Sequence, residues 1–176
     1  MAWSSTENGA LDGCLRQIAK GNTKALEKLY KAVSQPVYAY ALSILKNPQD
    51  AEDVLHDSFL LIWRNAPAYR TEGKPMAWIL TVTRNQCFKK LRQQKRYISM
   101  ADWETAVSFH EESLSAEEKL LLQACMNLLT EEERQIVILH AVAGLKHRQI
   151  AQFLEIPLST ALSKYHRAIK KMKNDL

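Results

Sequence analysis

Residues 141–168 read AVAGLKHRQIAQFLEIPLSTALSKYHRA: a short apolar-striped segment, a break at Leu154–Pro157, and a longer segment rich in hydroxyls and cations. This is the pattern of a helix-turn-helix, and it decides the fold of the C-terminal part of the chain. In the first helix, from about Lys146 to Leu154, Ile150, Ala151 and Leu154 recur at i, i+1 and i+4 and form one buried stripe. Ala151 is small enough to let the second helix come close. Pro157 suits a helix start, where a missing N–H costs little. At about 100° per residue, the second helix sorts Leu158, Ala161, Tyr165, Ala168, Ile169 and Met172 to one side. Thr160, Lys164, Arg167 and Lys171 fall on the other, flanked by Ser159, Ser163 and Lys170. Donors and positive charge are what phosphates and base edges require. An ordinary solvated face is the bland alternative.

A second basic stripe lies upstream. PMAWILTVTRNQCFKKLRQQKR, residues 75–96, carries six Lys and Arg from Arg84 onward and no acidic residue. Asn85, Lys89, Arg92 and Arg96 recur at i, i+4, i+7 and i+11, which places them on one helical face. Trp78 and Thr81 extend that face toward the helix start, whereas Leu80, Cys87, Phe88 and Leu91 point toward a core. An aromatic and an amide on a cationic stripe suit single-stranded or melted nucleic acid, where bases stack while phosphates are neutralised. Trp78 taken alone also suits a core position.

Charge is segregated along the chain. The formal net charge is only +5, yet basic residues crowd into 84–96 and 164–173 and acidic ones into 50–57, 102–118 and 131–133. This divides the surface between nucleic acid and a second, positively charged partner. In the acidic segment Asp50, Asp53 and Asp57 share one exposed helical face, with Val54, Phe59, Ile62 and Trp63 on the apolar side. Carboxylates in a first turn also favour the helix dipole, so this face has a purely structural reading as well.

Ordered along the chain, these segments resemble an extracytoplasmic-function (ECF) sigma factor of the sigma-70 family, from about Leu15 to Met172. LRQIAKGNTKALEKLYKAVSQPVYAYALSIL is similar to the opening helices of sigma region 2. QDAEDVLHDSFLLIW resembles the segment that docks on the polymerase clamp, and WILTVTRNQCFKKLR the segment that recognises and opens the −10 element. LTEEERQIVILHAVAGLKHRQIAQFLEIPLSTALSKYHRA resembles region 4, which reads the −35 element.

The resemblance implies a polymerase-binding set of Asp50, Glu52, Asp53, Asp57, Leu60 and Trp63. It implies a −10 set of Tyr69, Arg70, Trp78, Thr81, Arg84, Asn85, Lys89, Arg92 and Arg96, in which the loop Tyr69–Lys74 captures an extruded base. Its −35 set is Arg148, Ser159, Thr160, Ser163, Lys164, Arg167 and Lys171. The implied partners are core RNA polymerase, promoter DNA and a cognate anti-sigma factor. The chain departs from the family pattern at Ser159 (often Gly), Leu162 (often basic), Gln149 (usually acidic), Lys89 (commonly Asp) and His56 (frequently Gln), which bears on the promoter sequence read.

The expected fold is all-α: two small helical domains joined by a linker, the C-terminal one a helix-turn-helix. Five Gly and five Pro suit helices with short connections. Helices are expected at about 10–20, 23–46, 48–66 and 75–96, with Pro36 a candidate kink. Domain bounds are read as 1–96, a linker at 97–113 and 114–176. Ser115…Glu118 and Thr130…Glu133 both fit a capping box. Cys14, Cys87 and Cys125 are odd in number and suit reduced thiols. No metal or cofactor is expected, since the five histidines show no ligand spacing with them. No apolar run approaches the roughly 20 residues that span a bilayer, and no signal peptide is legible, so the expected site of action is the cytoplasm. Two rivals are a two-domain helix-turn-helix regulator acting without polymerase, and a metal-dependent nucleic-acid hydrolase built on Asp50, Glu52 and Asp53.

Overall fold

The computed structural model describes residues 3–94 and 127–175. Its helices are α1 (Ser5–Ala19), α2 (Thr23–Leu45), α3 (Pro48–Asn65), α4 (Pro75–Gln94), α5 (Glu131–Ala141), α6 (His147–Leu154) and α7 (Leu158–Asp175), with a 3-10 turn at Ala66–Ala68. There is no strand among the described residues. The fold is all-α, with two helical units, the second a helix-turn-helix. The expected linker 97–113, the Ser115…Glu118 box and Arg96 lie outside the described residues. No described helix is long and apolar enough to cross a membrane.

Local chemistry sets the helix ends. The first helix starts five residues earlier than its periodicity suggests, because Ser4 and Glu7 close a capping box. Glu7 N–H donates to Ser4 Oγ at 3.1 Å and Ser4 N–H to Glu7 Oε2 at 2.7 Å. Asn22 and Asn47 cap α2 and α3 through their side-chain oxygens at 3.2 and 3.0 Å. Pro48 follows as the first residue of α3, where its missing N–H is harmless. The Thr130–Glu133 box is formed at the start of α5. Pro36 removes one donor, but α2 runs through it unbroken. Val33, Pro36 and Val37 are all buried there, so core packing holds the helix together.

α2 is the axis of the molecule and packs against α1, α3, α4 and α5. Every residue from Ala39 to Leu45 is buried. A helix that is apolar all round is one enclosed on every side. Here the last turns of α2 are covered by the first unit on one side and by α5 on the other, so Ile136, Ile138, Leu139 and Ile150 join the same core as Leu29, Ile62 and Ile79.

Candidate nucleic-acid and polymerase interfaces

In the helix-turn-helix, α6 ends on Glu155, whose φ of 57° is left-handed. That conformation costs a non-glycine residue roughly 1–2 kcal/mol, and the bond from Ile156 N–H to Ala151 O at 3.0 Å helps to hold it. Pro157 is the residue ahead of α7, its carbonyl accepting from Ala161 N–H at 3.1 Å. Ala151 and Ala161 are buried, which realises the expected close approach. Ala168 and Met172 are buried too, whereas Leu158, expected on the inner side, is 37% exposed. It belongs to the first turn of α7, ahead of Ala161.

The cationic side of α7 divides in two. Ser159, Ser163 and Arg167 are exposed one above the other, with His166 and Lys170 beside them and Arg148 exposed on α6; Thr160 is half-buried. Lys164 and Lys171 instead turn to α5, where they pair with Glu132 and with Glu133, the latter at 2.7 Å. Burial would raise the Glu133 carboxyl, but bonds from Lys171 and from the Thr130 backbone outweigh it and hold the group below its ordinary range. These two lysines brace α7 against α5. Behind the exposed strip, Tyr165 meets the rings of His140 and His147 at 5.0 and 4.6 Å. His140 Nδ1–H donates to Leu145 O at 2.9 Å.

On α4, Thr81, Asn85, Lys89 and Arg92 are exposed along one face, as their spacing requires. Leu80 and Cys87 are fully buried. Burial pushes the Cys87 thiol up to about 12, so it behaves as a small apolar group. Trp78 is half-buried and packs on Tyr69 with ring centroids 4.9 Å apart. The Tyr69 hydroxyl donates to Asp12 on α1. Burial and that bond both push its ionisation upward, so it remains a donor. Arg70 and residues 71–74 form the exposed tip of the loop, where Gly73 supplies the left-handed φ of 71°. Arg84 is turned away from the open face. It donates to Phe153 O at 3.2 Å and lies over the rings of Phe88 and Phe153 at 5.4 and 5.6 Å.

The acidic face of α3 is less open than its spacing suggests. Asp50 and Asp53 converge on Lys90 of α4 at 3.2 and 2.7 Å, and Gln94 also bonds Asp50. The bond that Lys90 donates to Asp53, against a smaller opposing effect of burial, raises the Lys90 ammonium further. Two of the three carboxylates that a hydrolase would need for a metal, Asp50 and Asp53, are thus engaged by a lysine. Asp57 is exposed and Trp63 half-buried. Leu60 is 57% exposed, an apolar side chain left open beside carboxylates.

The two units touch through groups that sequence reasoning did not single out. Arg134 is 1% exposed and donates from Nε to the carbonyl of Ser43 at 2.9 Å. The Tyr40 ring meets Phe153 edge-on at 5.8 Å, and Lys74 reaches Gln152 at 3.4 Å. Trp3 Nε1–H donates to Ala143 O at 2.6 Å. The arginine just before the apolar run Ile136–Leu139, and an α2 segment apolar but for Tyr40 and Ser43, were the available signals for this contact.

Comparison with known proteins is consistent along the chain. The family model for sigma-70 region 2 matches residues 29–97, and that for sigma-70 region 4 matches residues 119–172. The ECF RNA polymerase sigma factor SigK of Mycobacterium ulcerans (strain Agy99) is 28% identical over 174 residues, covering 94% of this chain and 93% of that one. SigK of Mycobacterium sp. (strain KMS) is likewise 28% identical, covering 94% and 90%. Among solved structures, the fold is similar to the sigma factor RpoE in complex with the anti-sigma factor NepR from Bartonella quintana, at a TM-score of 0.69 and 20% identity over 86% of this chain and 96% of that one. It is also similar to CnrH in complex with the cytosolic domain of CnrY, at 0.66 and 19% over 94% and 96%. With both sigma regions matched in order and full-length relatives alike, the chain belongs to the sigma-70 family and is an RNA polymerase sigma factor of the ECF type.

Proposed function

We propose that residues 1–96 and 114–176 act as separate promoter-binding domains, joined by a linker at 97–113, which core polymerase draws apart. The observation that carries this reading is the pair of exposed cationic strips on different units: Asn85, Lys89 and Arg92 on α4, and Ser159, Ser163 and Arg167 on α7. The first holds the opened strand of the −10 element, with Trp78, Thr81 and the loop Tyr69–Lys74 beside it. Trapping an extruded base there offsets an unstacking cost of a few kcal/mol. The second, with Arg148 and Thr160, enters the −35 major groove. Lys164 and Lys171 serve that site through the brace to α5. The exposed Leu60, with Asp53, Asp57 and Trp63, docks on the polymerase, where charge complementarity sets orientation and association rate.

The closed arrangement cannot serve both promoter elements together. Elements about 25 base pairs apart lie roughly 85 Å apart along B-DNA. A compact chain of this length measures about 40 Å across. The α2–α5 contact must therefore open when both elements are bound, releasing Arg84 from Phe153 to the −10 strand. The chain itself catalyses no reaction and works in the cytoplasm, the polymerase supplying phosphoryl transfer. A cognate anti-sigma factor stabilises the closed form or covers the same surfaces. In-vitro transcription with purified core enzyme on a genomic library tests the reading: initiation at a discrete promoter set is expected, and tight promoter binding by the free protein would instead favour a stand-alone regulator.

A further inference from the structure

A cavity of about 480 Å³ lies between the two units, within the roughly 300–1,000 Å³ typical of small-molecule sites. Asp12 of α1 lines it from the first unit, together with Lys74 of the loop ahead of α4. Lys146, the capping residue of α6, lines it from the helix-turn-helix unit. Asp12 is only 6% exposed. One of its oxygens accepts from the Tyr69 hydroxyl, and the other has no protein donor among the described residues. Arg16, one turn along α1, makes no ion pair with it. A buried carboxylate is costly unless a charged donor reaches it. Lys74 bonds the uncharged Gln152, and neither lysine pairs with a carboxylate among the described residues. The cavity thus sets one negative group against two positive ones that do not reach it. The first turn of α6 adds the positive end of a helix dipole to the lysine side.

We propose that this cavity binds a small amino carboxylate, a free amino acid or a dipeptide, which bridges the two units and holds the chain closed. Its ammonium meets the free oxygen of Asp12. Its carboxylate lies toward Lys74, Lys146 and the start of α6, where helix N–H groups receive anions. Trp3 and Met76 supply apolar surface for a side chain. Because the walls belong to different units, the site is complete only in the closed form. A ligand that binds one of two states shifts the equilibrium toward that state. At a hundred times its dissociation constant it multiplies the closed-to-open ratio about a hundredfold. The inference rests on the reading that the units separate to bind a promoter, and adds a small molecule that opposes the separation.

The test begins with the full chain, free of polymerase, and uses the common amino acids, glycyl-glycine and alanyl-phenylalanine as probes. Calorimetry should find at least one that binds saturably and raises the melting temperature. The N-acetylated and the amidated forms of that probe should each bind about tenfold more weakly, a bond to a charged group being worth that much. Asp12→Asn should cost a similar factor. Should Asp12→Asn disturb the fold, the two blocked probes decide the matter on the wild-type chain. Gly9→Leu should block the site and keep the fold. A Cβ built at Gly9, on the cavity wall, meets nothing within 4 Å, and leucine favours a helix over glycine. Added to the chain before core polymerase, the probe should slow promoter opening, read by permanganate, and Gly9→Leu should be indifferent to it. Binding by no probe, or equal binding of the blocked forms, overturns the proposal. Initiation at discrete promoters by the untreated holoenzyme then leaves the functional reading standing. A probe that needs both of its ends yet leaves opening unchanged overturns the link to closure, and with it the reading that the units must part.

Discussion

Arg134 Nε on α5 donates to the main-chain carbonyl of Ser43 on α2 at 2.9 Å, and the arginine is almost wholly buried between the two units. A charged donor in so dry a place contributes about 1.5–3 kcal/mol. Removing it with Arg134→Ala should loosen the closed form by about that amount. Small-angle scattering of the free protein should show a larger radius of gyration. An unchanged radius would mean that apolar packing around Tyr40 and Ile136 closes the units without help.

Leu60 is the exposed apolar residue of the acidic helix. Burying a leucine is worth about 1.5–3 kcal/mol, so Leu60→Lys should weaken binding to core polymerase at least tenfold. The melting temperature should barely move, since the side chain touches little in the free protein. Equal affinity of mutant and wild type in a titration with labelled core would remove α3 from the docking surface.

The two kinds of cation on α7 should separate experimentally. Arg167→Ala should reduce the slope of −35 affinity against log salt by about 1. Lys171→Met should leave that slope alone and destabilise the fold, because it strips Glu133, 4% exposed, of its cation. A slope change for Lys171 equal to that for Arg167 would contradict the brace.

His147 should make the helix-turn-helix sensitive to acid. Its folded value lies below the ordinary 6.5, first through burial and then through His140 and His166; Tyr165 and Lys146 are its other polar neighbours. The unfolded chain therefore takes up the proton first. Stability is complete above about 6.5 and declines as pH falls toward the folded value, levelling off below it. Melting temperatures between neutral pH and about pH 5 should show this decline, and His147→Gln should flatten it. An identical decline in the variant would point to another group.

Much of this was legible in residue order. Asn47-Pro48, Gly21-Asn22 and Thr130…Glu133 mark helix boundaries through local hydrogen bonding, which distant residues hardly alter. The i, i+4, i+7 spacing of Asn85, Lys89 and Arg92 sets a shared face through helix geometry alone. Ser4…Glu7 was equally available, and it explains the early start of α1.

Tertiary structure decided which cations stay open. Lys164 and Lys171 match Arg167 in charge and in helical side, yet only a neighbouring α5 bearing Glu132 and Glu133 makes them braces. Asp50 and Asp53 look solvent-facing until α4 brings Lys90 between them. Asp12 gains significance only when folding sets it against Tyr69, 57 residues away. Helical period and capping depend on neighbours within a few positions, so sequence by itself determined the elements, their amphipathic faces and the family. Ion pairing, burial and cavities depend on which faces meet, and that was settled only when α2 was enclosed from both sides.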